Sequence, residues 1–115
     1  MYTKISLEEL RKTNNGLYIF TVEGTELACN RSGHMFRKMK SGNWKEIINK
    51  KNHAKGYNVV LISKKQYSRS KLILYAQNKI TLEDKNTNIY HINRDRLDCH
   101  MDNLTCDVIN SKKMR

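Results

Sequence analysis

Two short runs of β-branched and aromatic side chains set the scale of what this chain can fold into: Leu-Tyr-Ile-Phe-Thr-Val at residues 17–22 and Tyr-Asn-Val-Val-Leu-Ile at residues 57–62. Each is strand-length and made of residue types that pack well on a pleated surface, so each predicts a β-strand, the first closing at Gly24. Residues 29–39 and 44–48 read as a hairpin that turns at Ser41-Gly42-Asn43, with Trp44 in the core. Lys64-Lys65-Gln66 is expected to turn the chain after the second run. Residues 70–78 then fit a helix, with Leu72, Ile73, Tyr75 and Ala76 available for a core face. Ahead of all this, Ser6 and Glu9 have capping-box spacing for a short helix over residues 7–13, stopped by Asn14-Asn15-Gly16. Beyond it, residues 86–92 predict a short strand, 93–100 an irregular loop, and 107–114 a final helix capped by Asp107. The expected class is α+β: a small β meander with hairpins, then a helix, then a C-terminal strand–loop–helix unit.

A chain of 115 residues with 38% hydrophobic side chains suits one compact domain spanning residues 1–115. Proline is absent and there are only five glycines, so no stretch reads as a long flexible linker. No segment approaches the ~18 apolar residues of a membrane span, and the N-terminus lacks a secretory apolar region. The expectation is an intracellular protein with no membrane partner. The three cysteines, Cys29, Cys99 and Cys106, agree with that compartment, since an odd number without CxxC spacing makes a poor disulfide framework. Cys99, His100 and Cys106 lie close together, but a structural zinc site needs four well-spaced ligands, and Cys29 or His34 would complete the set only by a coincidence of the fold.

The net charge of +11 is informative because of where it sits. Residues 31–71 hold twelve Lys/Arg against one acid, Glu46, which accounts for the entire excess; the other residues balance at ten basic and ten acidic. Solubility alone does not require such segregation. A concentrated basic region (about residues 26–78) is the electrostatic footprint of a polyanion binder. Within it, Arg31, Arg37 and Arg69 are the candidates for base contacts, and Lys38, Lys40, Lys45, Lys64, Lys65 and Lys71 for phosphates. The clusters Arg37/Lys38/Lys40 and Lys64/Lys65/Arg69/Lys71 would form a β-ribbon surface for a DNA groove. An acidic protein surface would reward the same cations.

From Tyr90 the chain runs Tyr-His-Ile-Asn-Arg-Asp-Arg-Leu-Asp-Cys-His-Met-Asp-Asn-Leu, ending at Leu104. This segment resembles the HNH motif of phage and intron-encoded homing endonucleases, with His91, Asp98 and Asn103-Leu104 at the family's spacing. Upstream, residues 30–36, the Trp44-Lys45 to Ile62 stretch and residues 68–76 are similar to the β-rich DNA-binding module and helix that often precede HNH. The resemblance covers about residues 26–112, with the motif itself in about 86–115.

The resemblance implies a ββα-metal site on double-stranded DNA. His91 would be the general base and Asn103 the residue that orients its imidazole, with one Mg²⁺ or Mn²⁺ bridging the scissile phosphate. Four positions depart from the family's pattern. Tyr90 stands where the first metal ligand, normally Asp, Asn or His, is expected; a neutral phenol is a poor donor for a hard cation. Lys112 falls at the second ligand's place by direct counting, with Asn110 taking it if the loop is two residues shorter. Cys99 replaces the middle asparagine, and Arg94 replaces the glycine that lets the loop turn tightly. The expected function is a duplex-DNA-binding protein related to HNH homing endonucleases, with nuclease activity weak or lost and no cofactor. The alternatives are an active divalent-metal-dependent nicking or cleaving enzyme, and a phage-encoded inhibitor that binds an acidic host protein.

Overall fold

The computed structural model describes residues 6–13, 16–83 and 88–106. The Asn14-Asn15 helix stop, the final helix expected over 107–114, and with it Asn110 and Lys112, lie outside the described residues.

The fold is α+β. Helix α1 (Leu7–Thr13) opens it, and its N-cap is the expected one, Glu9 N donating to Ser6 Oγ. Strands β1 (Tyr18–Val22), β2 (Thr25–Cys29), β3 (Met35–Lys38) and β4 (Trp44–Ile47) follow as a four-stranded antiparallel meander in the order β1-β2-β3-β4. Strands β5 (Val59–Ile62) and β6 (Lys65–Ser68) form a separate hairpin that leads directly into helix α2 (Arg69–Ala76). Strand β7 (Ile89–His91) pairs antiparallel with β8 (Leu104–Cys106), and a 3₁₀ turn at Met101–Asn103 leads into β8.

The strand signals at 17–22 and 57–62 mark real strands, but several features differ from the sequence reading, strand β8 among them. The stretch 29–39 is not one strand. It breaks at a turn in which Asn30 and His34 are bridged through Asn30 N to His34 O, and Gly33 N donates to Asn30 O. Strand β2 was not expected at all; Glu23 and Gly24, both at positive φ, make a two-residue turn that pairs Val22 with Thr25. The turn after β5 is Ser63-Lys64 alone, so Lys65 and Gln66 belong to β6. Both turn residues hold left-handed backbone (φ 50° and 68°) without a glycine, which is why composition did not mark the place.

The meander is buried on both faces, which explains why Leu27, Ala28 and Cys29 are consecutive and all inaccessible. Leu27, Cys29 and Met35 join Val60 and Ile62, Leu72, Ile73 and Leu74 of α2, and Cys99, Met101 and Leu104 in one core. On the other face, Ala28, Phe36 and Trp44 pack with Leu10 of α1. Trp44 is therefore a core residue, as read. On α2 the fully buried apolar side chains are Leu72, Ile73 and Leu74, with Tyr75 and Ala76 only partly covered.

One charged group is buried as deeply as the apolar core. Arg69, expected to reach DNA bases, is 1% exposed. Its Nε and Nη2 both donate to the Gly33 carbonyl (3.1 and 3.0 Å), and Nη1 donates to the Ile47 carbonyl (2.8 Å) and to Asn58 Oδ1 (3.2 Å). Asn58 is itself buried and ties back to Lys50 O, and its own carbonyl accepts from Arg69 N. The guanidinium thus joins the meander, the approach to β5 and the start of α2. Its partners are carbonyl and amide oxygens, and burial pulls its pKa below the ordinary arginine value. A planar fork can satisfy that many acceptors at once; a lysine cannot.

Removal of this group strands buried carbonyls, so Arg69→Ala is expected to cost about 3–5 kcal/mol. Arg69→Lys should recover only a minor part of that loss. Urea denaturation of the three proteins measures this, and a variant within about 1 kcal/mol of wild type would contradict the role.

Candidate functional site around His91

The polar residues of the 91–104 segment build their own loop. Asp95 N donates to Asn93 Oδ1 (2.9 Å), Leu97 N to Asp95 Oδ1 (3.0 Å) and His100 N to Asp98 Oδ1 (3.2 Å), a succession of side-chain-to-backbone turns. Asn93 Nδ2 closes the loop on Asp98 Oδ2 at 2.7 Å. At the turn itself, Arg94 N donates to His91 O (2.9 Å) with Arg94 at φ 65°. The position where the HNH pattern has glycine therefore keeps the backbone conformation that glycine supplies without steric cost.

Asn103 is part of this frame and not of an imidazole contact. Its Oδ1 accepts from Asn93 N (2.9 Å), its Nδ2 donates to Asp98 O (2.8 Å), and its backbone carbonyl accepts from Ile92 N (2.8 Å). Both ends of the amide brace the loop against the β7–β8 hairpin. The His91 ring instead meets Ser70 on the first turn of α2, Nε2 to Oγ at 2.8 Å. Ser70 Oγ is also 3.3 Å from Cys99 Sγ, the residue at the middle-asparagine position. Ser70 and Cys99 are both buried. Burial is also the main force holding the Cys99 thiol above its ordinary pKa, hence protonated.

His91 borders a cleft of about 540 Å³ that is lined further by Lys55, Tyr57, Ser68, Ser70, Asn88 and Arg96. No carboxylate is among its described lining residues; the charged ones are two cations. Burial first, and Arg96 second, lower the His91 pKa, while Asp95 and Asp98 oppose them. The imidazole is therefore neutral at physiological pH. Side chains alternate along a strand, so Tyr90 projects to the opposite side of β7 from Ile89 and His91, where it is 42% exposed. The described lining of the cleft does not fit a hard divalent cation: hydroxyls and one amide face it beside two positive charges, whereas Mg²⁺ is held by carboxylates. Among the described residues no group of three or more His, Cys, Asp and Glu is arranged to hold a metal ion. The free thiols Cys29 and Cys99 lie in the main core, and burial pushes the Cys29 pKa up to about 12.

The other cations expected at DNA are dispersed by the pleat. Arg37 and Lys38 point to opposite faces of β3. Arg37 donates to Leu61 O (2.8 Å) and lies across from Lys45. Lys38 pairs with Glu26 at 2.9 Å on the face that carries Trp44. Arg37, Lys45 and Lys50 instead surround a second recess, of about 310 Å³, beside β4. Lys40 is exposed near the β3–β4 turn, and Arg31 is exposed near Asp102 (3.6 Å). Lys65 pairs with Glu23 (2.8 Å), Lys64 occupies the left-handed turn, and Lys71 lines a third recess with Lys65 and Glu23. The acids in these pairs, Glu23, Glu26 and Asp102, all come from outside the 31–71 window. Sequence reasoning missed Ser70, Lys55 and Arg96 as neighbours of His91. Lys55 and Arg96 stood in the basic window and the motif, but nothing in the order of residues ties Ser70 to a histidine twenty-one positions later.

Comparison of the chain with protein-family models, with curated proteins and with solved structures found no match.

Two measurements test this geometry. Arg94→Gly relieves left-handed strain and should stabilise the fold by about 1 kcal/mol, read from urea denaturation. The His91 pKa is lowered on folding from 6.5, so its contribution to stability is complete above that value. It is lost as pH falls from there through the lower folded value, because the unfolded chain takes up the proton first. Wild type should lose more melting temperature between pH 7.5 and 5 than His91→Gln does; equal losses would contradict a desolvated neutral imidazole.

Proposed function

We propose that the protein binds double-stranded DNA and seats a backbone phosphate in the cleft beside His91. The observation that carries this reading is the lining of that cleft: Lys55 and Arg96 with the hydroxyls of Tyr57, Ser68 and Ser70, and no carboxylate among the described residues. It opens beside the first turn of α2, whose peptide dipoles add to the attraction for an anion. The wider surface supports the same partner. Of the twelve cations in the 31–71 window only Arg69 is buried; the other eleven reach solvent in full or in part. Arg37, Lys45 and Lys50, against the single acid Glu46, leave the recess beside strand β4 with a net positive lining. The HNH resemblance agrees, since its hairpin and loop belong to proteins that act on duplex DNA.

Affinity carried by phosphates releases counterions. With about six phosphates neutralised, log K should fall against log salt with a slope near roughly −5 in a fluorescence-anisotropy titration of a duplex. Charge reversal of Lys55 and Arg96 together should weaken binding at least about tenfold and flatten the slope. A response flat in salt would sink the DNA reading and leave an acidic protein surface as the partner. Nicking of supercoiled plasmid with Mg²⁺ or Mn²⁺, absent in EDTA and in His91→Ala, would instead make the protein an active nuclease.

A further inference from the structure

One segment joins the cleft beside His91 to the recess beside β4. Residues 49–58, Asn-Lys-Lys-Asn-His-Ala-Lys-Gly-Tyr-Asn, contain three lysines, one histidine and no acid. Lys50, Asn52 and Asn58 line the β4 recess, and Lys55 and Tyr57 line the His91 cleft. Lys50 and Lys55 are five positions apart in the chain. At no more than about 3.6 Å per residue, their backbones lie within about 18 Å of each other. One turn of duplex DNA rises about 34–36 Å, so a single face of one duplex can meet both recesses.

The segment has no helix or strand of its own, and side chains set its shape. Asn52 brackets the backbone of Val59: its Oδ1 accepts from Val59 N (2.6 Å) and its Nδ2 donates to Val59 O (2.9 Å). Asn58 Nδ2 donates to Lys50 O (2.9 Å), which closes the segment end to end. Inside it, Lys55 N donates to His53 Nδ1 (3.1 Å), Gly56 N donates to His53 O (2.9 Å), and the rings of His53 and Tyr57 stack at 4.4 Å. Two further bonds tie it to the 93–98 loop, from Asn49 Nδ2 to Leu97 O and from Arg96 Nη1 to Lys55 O. None of this bracing uses a lysine side chain. Lys50, Lys51 and Lys55 are all exposed, and among the described residues none of them stands in an ion pair. Lys38, Lys65 and Arg31 of the same basic window each face a carboxylate instead.

We propose that residues 49–58 form the loop that lays this protein along a duplex, with Lys50 and Lys51 holding phosphates next to the one seated by Lys55 and Arg96. Resting on the duplex-DNA reading of the His91 cleft, this assigns the face of the molecule that the DNA covers. A loop already shaped by its own asparagines has little freedom left to lose on binding, so its lysines keep more of what each phosphate contact contributes. Lys38 and Lys65 carry the same charge, but each must give up a carboxylate before it can take a phosphate. They are therefore minor contributors, although the order of residues places all of these cations in one window.

Fluorescence-anisotropy titrations of a DNA duplex at several salt concentrations test this with the full chain and two charge-matched variants. One variant combines Lys50→Gln with Lys51→Gln; the other combines Lys38→Gln with Lys65→Gln. All four side chains are exposed, so both variants should keep the fold, and both leave Lys55 and Arg96 in place. The loop variant should bind about tenfold more weakly, with a salt slope shallower by about 2, roughly 1 for each lost phosphate contact. The variant of the paired lysines should stay within about threefold of wild type with its slope unchanged. Equal losses in the two variants would overturn the proposal and leave the DNA reading standing, because binding would then follow net charge alone. A loop variant that binds like wild type overturns it in the same way. A wild type with no salt-dependent affinity for the duplex would remove the DNA reading, and the role of the loop with it.

Discussion

A charged guanidinium with no water around it is costly unless every donor finds an acceptor, and the arrangement around Arg69 follows from that requirement. The Gly33 carbonyl, the Ile47 carbonyl and the Asn58 side chain come from three different segments, and each must stop at a set distance from one rigid fork. The turn between β2 and β3, the end of β4 and the entry to β5 are thereby placed relative to α2. Apolar burial holds these pieces together, but it is non-directional; the fork supplies the direction. The same turn carries Gly33 against the backbone of Cys99 and lets Met101 N reach Arg31 O. The C-terminal hairpin is thus docked through the very segment that Arg69 holds.

This chain of constraints ends at a histidine. Arg69 sets the first turn of α2, Ser70 follows it, and Ser70 touches His91. Meanwhile Asn93, Asp95, Asp98 and Asn103 use their side chains to hold the 93–103 loop in shape. The motif residues that suggested chemistry therefore divide into two groups: most build the frame, and His91 is the one the frame presents to a cleft. The cations that matter there, Lys55 and Arg96, arrive from a loop and from the motif. The departures from the HNH pattern also acquire meanings. Arg94 keeps the backbone shape of a glycine at some strain, Cys99 is a buried partner of Ser70, and Tyr90 faces away from the histidine.

The basic window was legible as charge but not as a surface. Reading Arg37, Lys38 and Lys40 as a cluster ignored the pleat, which sends the first two to opposite faces. Reading Arg69 as a base contact took its charge for exposure, when the sequence around it, Ser-Arg-Ser-Lys before an apolar helix, holds nothing to distinguish a solvated arginine from a buried one. Strand β6 was hidden because Lys-Gln-Tyr-Ser has little strand character and the turn before it lacks glycine. Its pairing with β5 supplies what local preference does not.

The sequence by itself determined the α+β class, the Ser6 cap of the first helix, the strands at 17–22 and 57–62, Trp44 as a core residue, and the excess of cations in one third of the chain. These follow from local preferences and composition, which act over a few residues and are written in their order. Only the tertiary structure decided which arginine is inside, which hydroxyl meets His91, which cations share its cleft, and that Asn103 braces a loop. The first two depend on segments more than twenty residues apart being brought within hydrogen-bond distance, Arg69 with Gly33 and Ile47 and Ser70 with His91. That outcome rests on how the whole core closes and on which buried polar groups must find partners when it does.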